Sequence, residues 1–192
     1  MRILISLLIS TSTVLGTQQS NTAPKMFTPE QLAAQKRYAV YEAKRTQLRA
    51  LAEDAFKAEM ILEKKGDCTS AQTDYEFNVC FGRAVDVADQ HMKTYEQALS
   101  QLLVLEPPGA TLSNTPSMPG PAGPSRTPAQ DLIEFQNIEE LWHTYLKAAP
   151  EAAFHQFDGG TGGPSFELET HLRLVRDHLR ELNDIYGMTL TL

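Results

Sequence analysis

The sequence lacks any apolar run long enough to cross a bilayer, which takes roughly 17 to 25 residues. The main apolar run, Ile3 to Ile9, follows Arg2 and precedes a small, polar stretch that ends at Gly16. This order is typical of a secretory signal peptide. We therefore predict that residues 1–16 are removed, that residues 17–27 are disordered, and that no membrane span remains. A buried N-terminal strand or helix is the alternative.

Basic side chains are too few to outweigh acidic ones. The chain has 17 Lys and Arg against 24 Asp and Glu. Without residues 1–16, which contain Arg2 and no acidic residue, 16 basic side chains remain against 24 acidic ones, a net charge of −8. This balance disfavours nucleic acid and anionic membranes as partners. It favours encounter with cationic proteins, although acidic surfaces also serve ordinary solubility.

Motifs that carry catalysis are also missing. The chain has no Gly-x-Ser-x-Gly, and the glycine cluster at residues 159–163 has the sequence of a loop, without a phosphate-binding ending. His171 and His178 lack a third ligand at helical spacing, so we interpret them as surface or boundary histidines. Glu139 and Glu140 are adjacent and are assigned to an acidic helix face. We predict no enzymatic activity, no cofactor and no metal.

The starts of the helices are clearly marked. Three of them show a capping threonine followed three positions later by Gln or Glu: Thr28, Thr73 and Thr127. The first helix is expected to stop at Gly66 and the third before Pro150, because glycine ends helices and proline breaks them. Ser165 is expected to cap the last helix.

Apolar residues recur at helical spacing behind each start. The predicted buried stripes, in chain order, are Leu48, Leu51, Phe56 and Met60; Phe77, Phe81, Ala84, Ala88, Met92, Tyr95, Leu99 and Leu102; Leu132, Phe135, Trp142, Tyr145 and Leu146; and Leu168, Leu172, Val175, Leu179, Leu182 and Tyr186. Residues 106–127 are rich in proline and glycine and predict a flexible linker, with a polyproline ligand as the alternative. The sequence therefore predicts an all-α bundle of about four helices.

The chain contains two cysteines, Cys68 and Cys80. In one continuous helix their positions would be about 18 Å apart, beyond the ~4.4 to 6.8 Å between Cα atoms that a disulfide needs. Because the helix is predicted to begin at Thr73, the preceding residues are expected to run extended and to fold back along it. In an oxidising compartment we expect a Cys68–Cys80 disulfide, and metal binding by the pair is the alternative.

The pattern around these cysteines resembles the conserved segment of the LprI-like lysozyme-inhibitor family. The matching positions are Cys68-x4-Thr73-x2-Glu76-x3-Cys80, then Ala88-Asp89-x2-Met92-x2-Tyr95-x3-Leu99 and Trp142-x2-Tyr145. The resemblance covers roughly residues 67–182. It predicts a domain over residues 67–187, preceded by an additional N-terminal helix within residues 28–66.

Two departures from the family pattern concern a disulfide and a charge. Family members usually carry a second cysteine pair, and here Pro150 and Thr170 occupy those places. We expect the fold to survive this loss. A basic residue that commonly follows the aromatic at Tyr145 is replaced by Leu146, with Lys147 beside it.

The resemblance implies a periplasmic or secreted protein that inhibits lysozyme. We therefore predict a protein partner, either a cationic lysozyme or a related peptidoglycan hydrolase. The alternative is an adaptor or immunity-type protein that uses the helix at residues 29–65 to dock on a different partner. The candidate contacts are Asp89, Tyr95, Trp142 and Tyr145, because Tyr and Trp dominate interface hot spots. Core packing is the default interpretation of these residues.

Overall fold

The computed structural model describes residues 27–109, 127–157 and 160–191. Within these ranges the chain forms four helices and no strand: α1 (Pro29–Lys65), α2 (Asp74–Leu103), α3 (Pro128–His155) and α4 (Gly163–Thr191). The prediction of an all-α helical bundle is confirmed. The predicted signal peptide, the N-terminal segment up to residue 26 and linker residues 110–126 lie outside the described residues.

Three helices begin at the threonines that the sequence marked. The side-chain oxygens of Thr28, Thr73 and Thr127 each accept a hydrogen bond from the backbone N–H three residues on, at 3.2 to 3.3 Å. In return, the Gln or Glu at that position accepts from the threonine's own backbone N–H. These reciprocal bonds satisfy N–H groups that lack a partner inside the helix. All three predicted starts are confirmed.

Two predicted helix boundaries are wrong. α3 continues through Pro150 to His155, and Pro150 is buried, so packing offsets the backbone hydrogen bond that proline cannot donate. α4 begins at Gly163, before the expected cap at Ser165. A Cβ at Gly163 would lie 3.1 Å from the Phe154 ring, so a residue without a side chain permits this close approach. The Ser165 hydroxyl instead donates to Asn78 Oδ1 of α2 at 2.7 Å.

The core lies mainly between α2 and α4, and α1 and α3 pack on its two sides. The apolar stripes predicted for these two central helices are confirmed in their middle turns, where the following residues are buried: Ala88, Met92, Tyr95, Leu99, Leu102, Leu172, Val175, Leu179 and Leu182. Each fully buried large aliphatic side chain contributes roughly 1.5 to 3 kcal/mol. Burial along these two stripes therefore positions every other element.

The stripe predicted for α1 is wrong at one position, Leu51, whereas Phe56 and Met60 are partly buried. Leu48 is buried as expected, but Leu51 is 44% exposed, and the buried positions that follow Leu48 are Ala52, Ala55 and Glu59. Two alanines let the α1 backbone approach its neighbours closely. Tyr145 was likewise assigned to the buried face of α3 and is exposed.

The predicted disulfide between Cys68 and Cys80 is confirmed, with 5.7 Å between the Cα atoms. α1 ends at Gly66, whose positive φ of +85° suits glycine. The residues that follow form a tight turn, in which Ala71 N–H donates to the Cys68 carbonyl at 3.0 Å, rather than the extended segment that was expected. The turn brings Cys68 back to the first turns of α2.

A buried charge cluster joins α1, α4 and the turn that carries Cys68. Arg176 of α4 donates from Nε to Glu59 Oε1 at 2.7 Å, and its terminal nitrogens donate to both oxygens of Asp67. His91 Nδ1 of α2 lies 2.8 Å from the other Glu59 oxygen. Burial would lower the pKa of Arg176, but the hydrogen bonds that it donates to Asp67 and Glu59 outweigh burial and raise that pKa. The guanidinium therefore stays charged.

We expect Arg176→Met to lower the free energy of unfolding by about 3 to 5 kcal/mol, because the substitution leaves Glu59 buried without its counter-charge. Arg173→Met is the matched control. This exposed arginine of the same helix makes only a 3.8 Å ion pair, so its loss should change the free energy by less than about 0.5 kcal/mol. Urea unfolding of the two variants measures the difference, and equal losses would contradict the structural role of Arg176.

Candidate functional site

An open cavity of about 450 Å³ lies between α2 and α3. We call it the α2/α3 cavity, and its lining includes Asp89, Met92 and Glu96 from α2 and Trp142, His143 and Leu146 from α3. Met92 and Leu146 are buried. The cavity therefore combines an apolar floor with a few polar groups, which is the usual composition of a ligand pocket.

Two carboxylates and one imidazole meet at this cavity. Glu139 and His143 lie four residues apart on α3, which places them on the same helix face, and Glu96 approaches from α2. Candidate donor atoms of the three side chains all lie within 4.8 Å of one another, and His143 Nε2 is 3.3 Å from Glu96 Oε1. Glu139 is buried, so its assignment to an acidic surface face was wrong, whereas Glu140 is exposed as predicted.

The proximity of two carboxyl groups changes the acidity of one of them. Burial, followed by a hydrogen bond with Glu139 and the charge of that group, raises the pKa of Glu96 to about 8. Glu96 Oε1 is buried, and its 3.3 Å contact with His143 Nε2 lacks hydrogen-bond geometry, so within the described residues this oxygen accepts no hydrogen bond. At neutral pH the pair therefore holds a proton that two separate, solvated carboxylates would release.

His178 supports the site from α4. Its Nε2 lies 3.1 Å and 3.2 Å from the two oxygens of Glu139, and its Nδ1 lies 3.4 Å from Glu181 Oε2. Its ring stacks on Trp142 with 4.0 Å between centroids and 6° between planes. His178 is buried, so its interpretation as a surface or boundary histidine was wrong. His171 is partly exposed, as predicted, and its Nε2 lies 2.9 Å from Asp89 Oδ1.

The structure separates the four predicted contact residues. Asp89 and Trp142 both line the α2/α3 cavity. Tyr145 is exposed on α3 but does not line it. Tyr95 is fully buried against Phe56, with 6.4 Å between ring centroids, so its core role stands and it offers no surface for a partner.

The hydroxyl of Tyr95 is buried together with its ring. Among the described residues it has no hydrogen-bond partner. Burial, with a smaller contribution from the charge of Asp184, raises the pKa of Tyr95, so the phenol stays protonated.

The groups at the centre of the site were missed in the sequence. Glu96, Glu139, His143 and His178 come from three helices, and none of them belongs to a known motif. The one local signal is the spacing of four between Glu139 and His143, which places two donors on one face. That spacing also occurs at Glu151 and His155, which are exposed. Spacing alone therefore did not distinguish the buried pair from the exposed one.

We expect Glu96→Gln to stabilise the protein at pH 8 by up to about 4 kcal/mol and to have little effect at pH 4. The folded chain keeps the Glu96 proton up to about pH 8, whereas the unfolded chain releases it near its ordinary pKa of 4.5. Stability of the unmodified protein therefore falls as the pH rises between these values, and glutamine removes that loss. Thermal unfolding at several pH values checks this, with Glu140→Gln as control. A Glu96→Gln effect independent of pH would be inconsistent with the proton held by the pair.

No protein-family model, no curated protein and no solved structure matches this chain. The resemblance of residues 67–182 to the LprI-like family therefore stays a prediction.

Proposed function

We propose that this chain is an exported, non-enzymatic binding protein of the cell envelope that inhibits a cationic lysozyme or a related peptidoglycan hydrolase. In this proposal, a Lys or Arg side chain of the partner enters the α2/α3 cavity. The supporting observation is that Asp89 and Trp142, two of the contact residues predicted from sequence, line one open cavity together with Glu96.

The lining suits a long cationic side chain. Its aliphatic stem can pack on Met92 and Leu146, while its charge lies near the Asp89 carboxylate and the Trp142 ring. A cation within about 6 Å of an indole is attracted to its π-electrons, and the attraction grows when water is excluded. Lys93 is also in the lining but is exposed, so its ammonium group can turn towards solvent.

Export and the sign of the charge agree with this partner. The acidic balance of the sequence steers cationic proteins towards the surface. The Cys68–Cys80 disulfide is compatible with an oxidising compartment. None of the helices in the described ranges is long and apolar enough to span a membrane.

One observation favours the second candidate, an adaptor that docks through its N-terminal helix. Residues 29–40 of α1 are all exposed, including the large side chains of Tyr38 and Val40, whereas Leu48, Ala52 and Ala55 of the same helix are buried in the core. The first third of α1 therefore offers a free helical surface. The rest of α1 belongs to the core, so deleting residues 26–66 would unfold the protein rather than test docking.

We expect lysozyme to bind the protein more tightly at low salt than at physiological salt, because charges of opposite sign attract less when screened. Trp142→Ala should weaken binding at least 30-fold, the size expected of an interface hot spot. Asp89→Asn should weaken binding less and reduce its salt dependence. Calorimetry and a cell-wall turnover assay measure binding and inhibition.

Tyr75→Ala is the matched control, because Tyr75 is an exposed aromatic residue of α2 outside the cavity lining. Circular dichroism must show that each variant is folded. Absence of binding at micromolar protein, or equal losses for the Trp142 and Tyr75 variants, would overturn the proposed function.

If α1 docks a partner, removal of residues 1–40 should abolish capture of that partner while leaving the thermal unfolding transition within a few degrees of the intact chain. The buried part of α1 begins at Leu48 and is retained in this variant. Full binding by the truncated protein would exclude the docking arm and leave the α2/α3 cavity as the contact.

A further inference from the structure

We infer that Glu96, Glu139 and His143 form a binding site for a divalent transition-metal ion, for which Zn²⁺ is the best fit. The three side chains come from two helices, and two of them, Glu96 and His143, line the α2/α3 cavity. The inference goes beyond the proposed function and does not depend on it.

The distances between donors suit a single ion. Zn²⁺ lies about 2.0 to 2.2 Å from imidazole nitrogen and carboxylate oxygen, so donors on one ion must be within about 4.4 Å of one another. The candidate atoms here all lie within 4.8 Å of one another. His143 is half exposed and free to adjust its ring, whereas Glu139 is held in place by its surroundings. Small side-chain rotations therefore complete the site.

The polar groups of the site also favour binding of a cation. Glu96 Oε1 is buried without a hydrogen-bond partner in the described part of the chain, and such an oxygen costs free energy unless something satisfies it. A second carboxylate, Glu139, lies beside it, and two like charges in a partly buried site repel. A divalent cation between them removes both penalties.

The surroundings of Glu139 resemble the outer shell of a metal site. His178 contacts both of its oxygens from α4, and Trp142 stacks on the His178 ring. Hydrogen bonds to a metal-binding carboxylate fix its orientation, and loss of such support typically weakens binding 10- to 100-fold. Glu139 is thus oriented before any ion arrives.

The donor set selects among metals. An imidazole with two carboxylates suits Zn²⁺ and its first-row neighbours, whereas Ca²⁺ takes six to eight oxygen ligands and Mg²⁺ is held through carboxylates and waters. Three protein ligands leave a fourth position of a tetrahedral ion open.

The test is a titration of tag-free, chelator-treated protein with ZnCl2 by calorimetry, and with CoCl2 by visible absorption. We expect one ion per chain, and for Co²⁺ the intense d–d bands of a tetrahedral site. His143→Ala and Glu96→Gln should each weaken Zn²⁺ binding at least tenfold. MgCl2 in excess should not compete.

His155→Ala is the matched control, because His155 has the same spacing to a glutamate on the same helix, at 3.9 Å, but is exposed and has no third donor among the described residues. The Zn²⁺ affinity of the His155→Ala variant should equal that of the unmodified protein. No stoichiometric binding, or unchanged affinity in folded His143→Ala and Glu96→Gln variants, would overturn the site. Lysozyme binding measured on metal-free protein separates this outcome from failure of the proposed function.

Discussion

The buried guanidinium of Arg176 is the contact on which the arrangement of the helices depends. Removing an arginine and a glutamate from water costs several kcal/mol for each ion, and attraction offsets this only when the geometry is good and the remaining groups are hydrogen-bonded. Here Glu59 is fully buried, with Arg176 on one oxygen and His91 on the other, and Asp67 occupies the terminal nitrogens of the arginine. A change in the rotation of α1 or α4 would leave at least one charge unpaired.

The same contact organises both sides of α4. Asp67 directly precedes Cys68, so the arginine that fixes α1 also fixes the turn from which the disulfide reaches α2. His178 follows Arg176 by two residues, which places it on a nearly opposite face of the helix. One face of α4 therefore holds α1, and the other holds His178 against Glu139 and Trp142 of α3. Contacts with α4 therefore hold Glu139 and Trp142 of the candidate site in place.

Residues close together in sequence predicted the helices, whereas contacts between helices decided which polar side chains are buried. The capping threonines, the apolar stripes of α2 and α4 and the disulfide depend on residues a few positions apart. Glu59, Glu139 and His178 are buried because their partners lie on other helices, and apolar periodicity assigns such polar residues to the surface. The predicted end of α3 before Pro150 was wrong because the packing of Pro150 compensates for its effect on the backbone.

Two buried polar clusters in one small protein differ in what they do for stability. Around Arg176 both carboxylates are hydrogen-bonded to the guanidinium, so the cluster fixes the fold. Around Glu96 two carboxyl groups face each other, one oxygen has no partner within the described residues, and the pKa of Glu96 rises to about 8. An apolar pair at Glu96 and Glu139 would pack the same helices at lower cost, so the fold does not require this arrangement. Strongly perturbed groups that line an open cavity are characteristic of functional sites, and this cluster has both properties. The α2/α3 cavity, rather than the Arg176 cluster, therefore has the properties of a functional site.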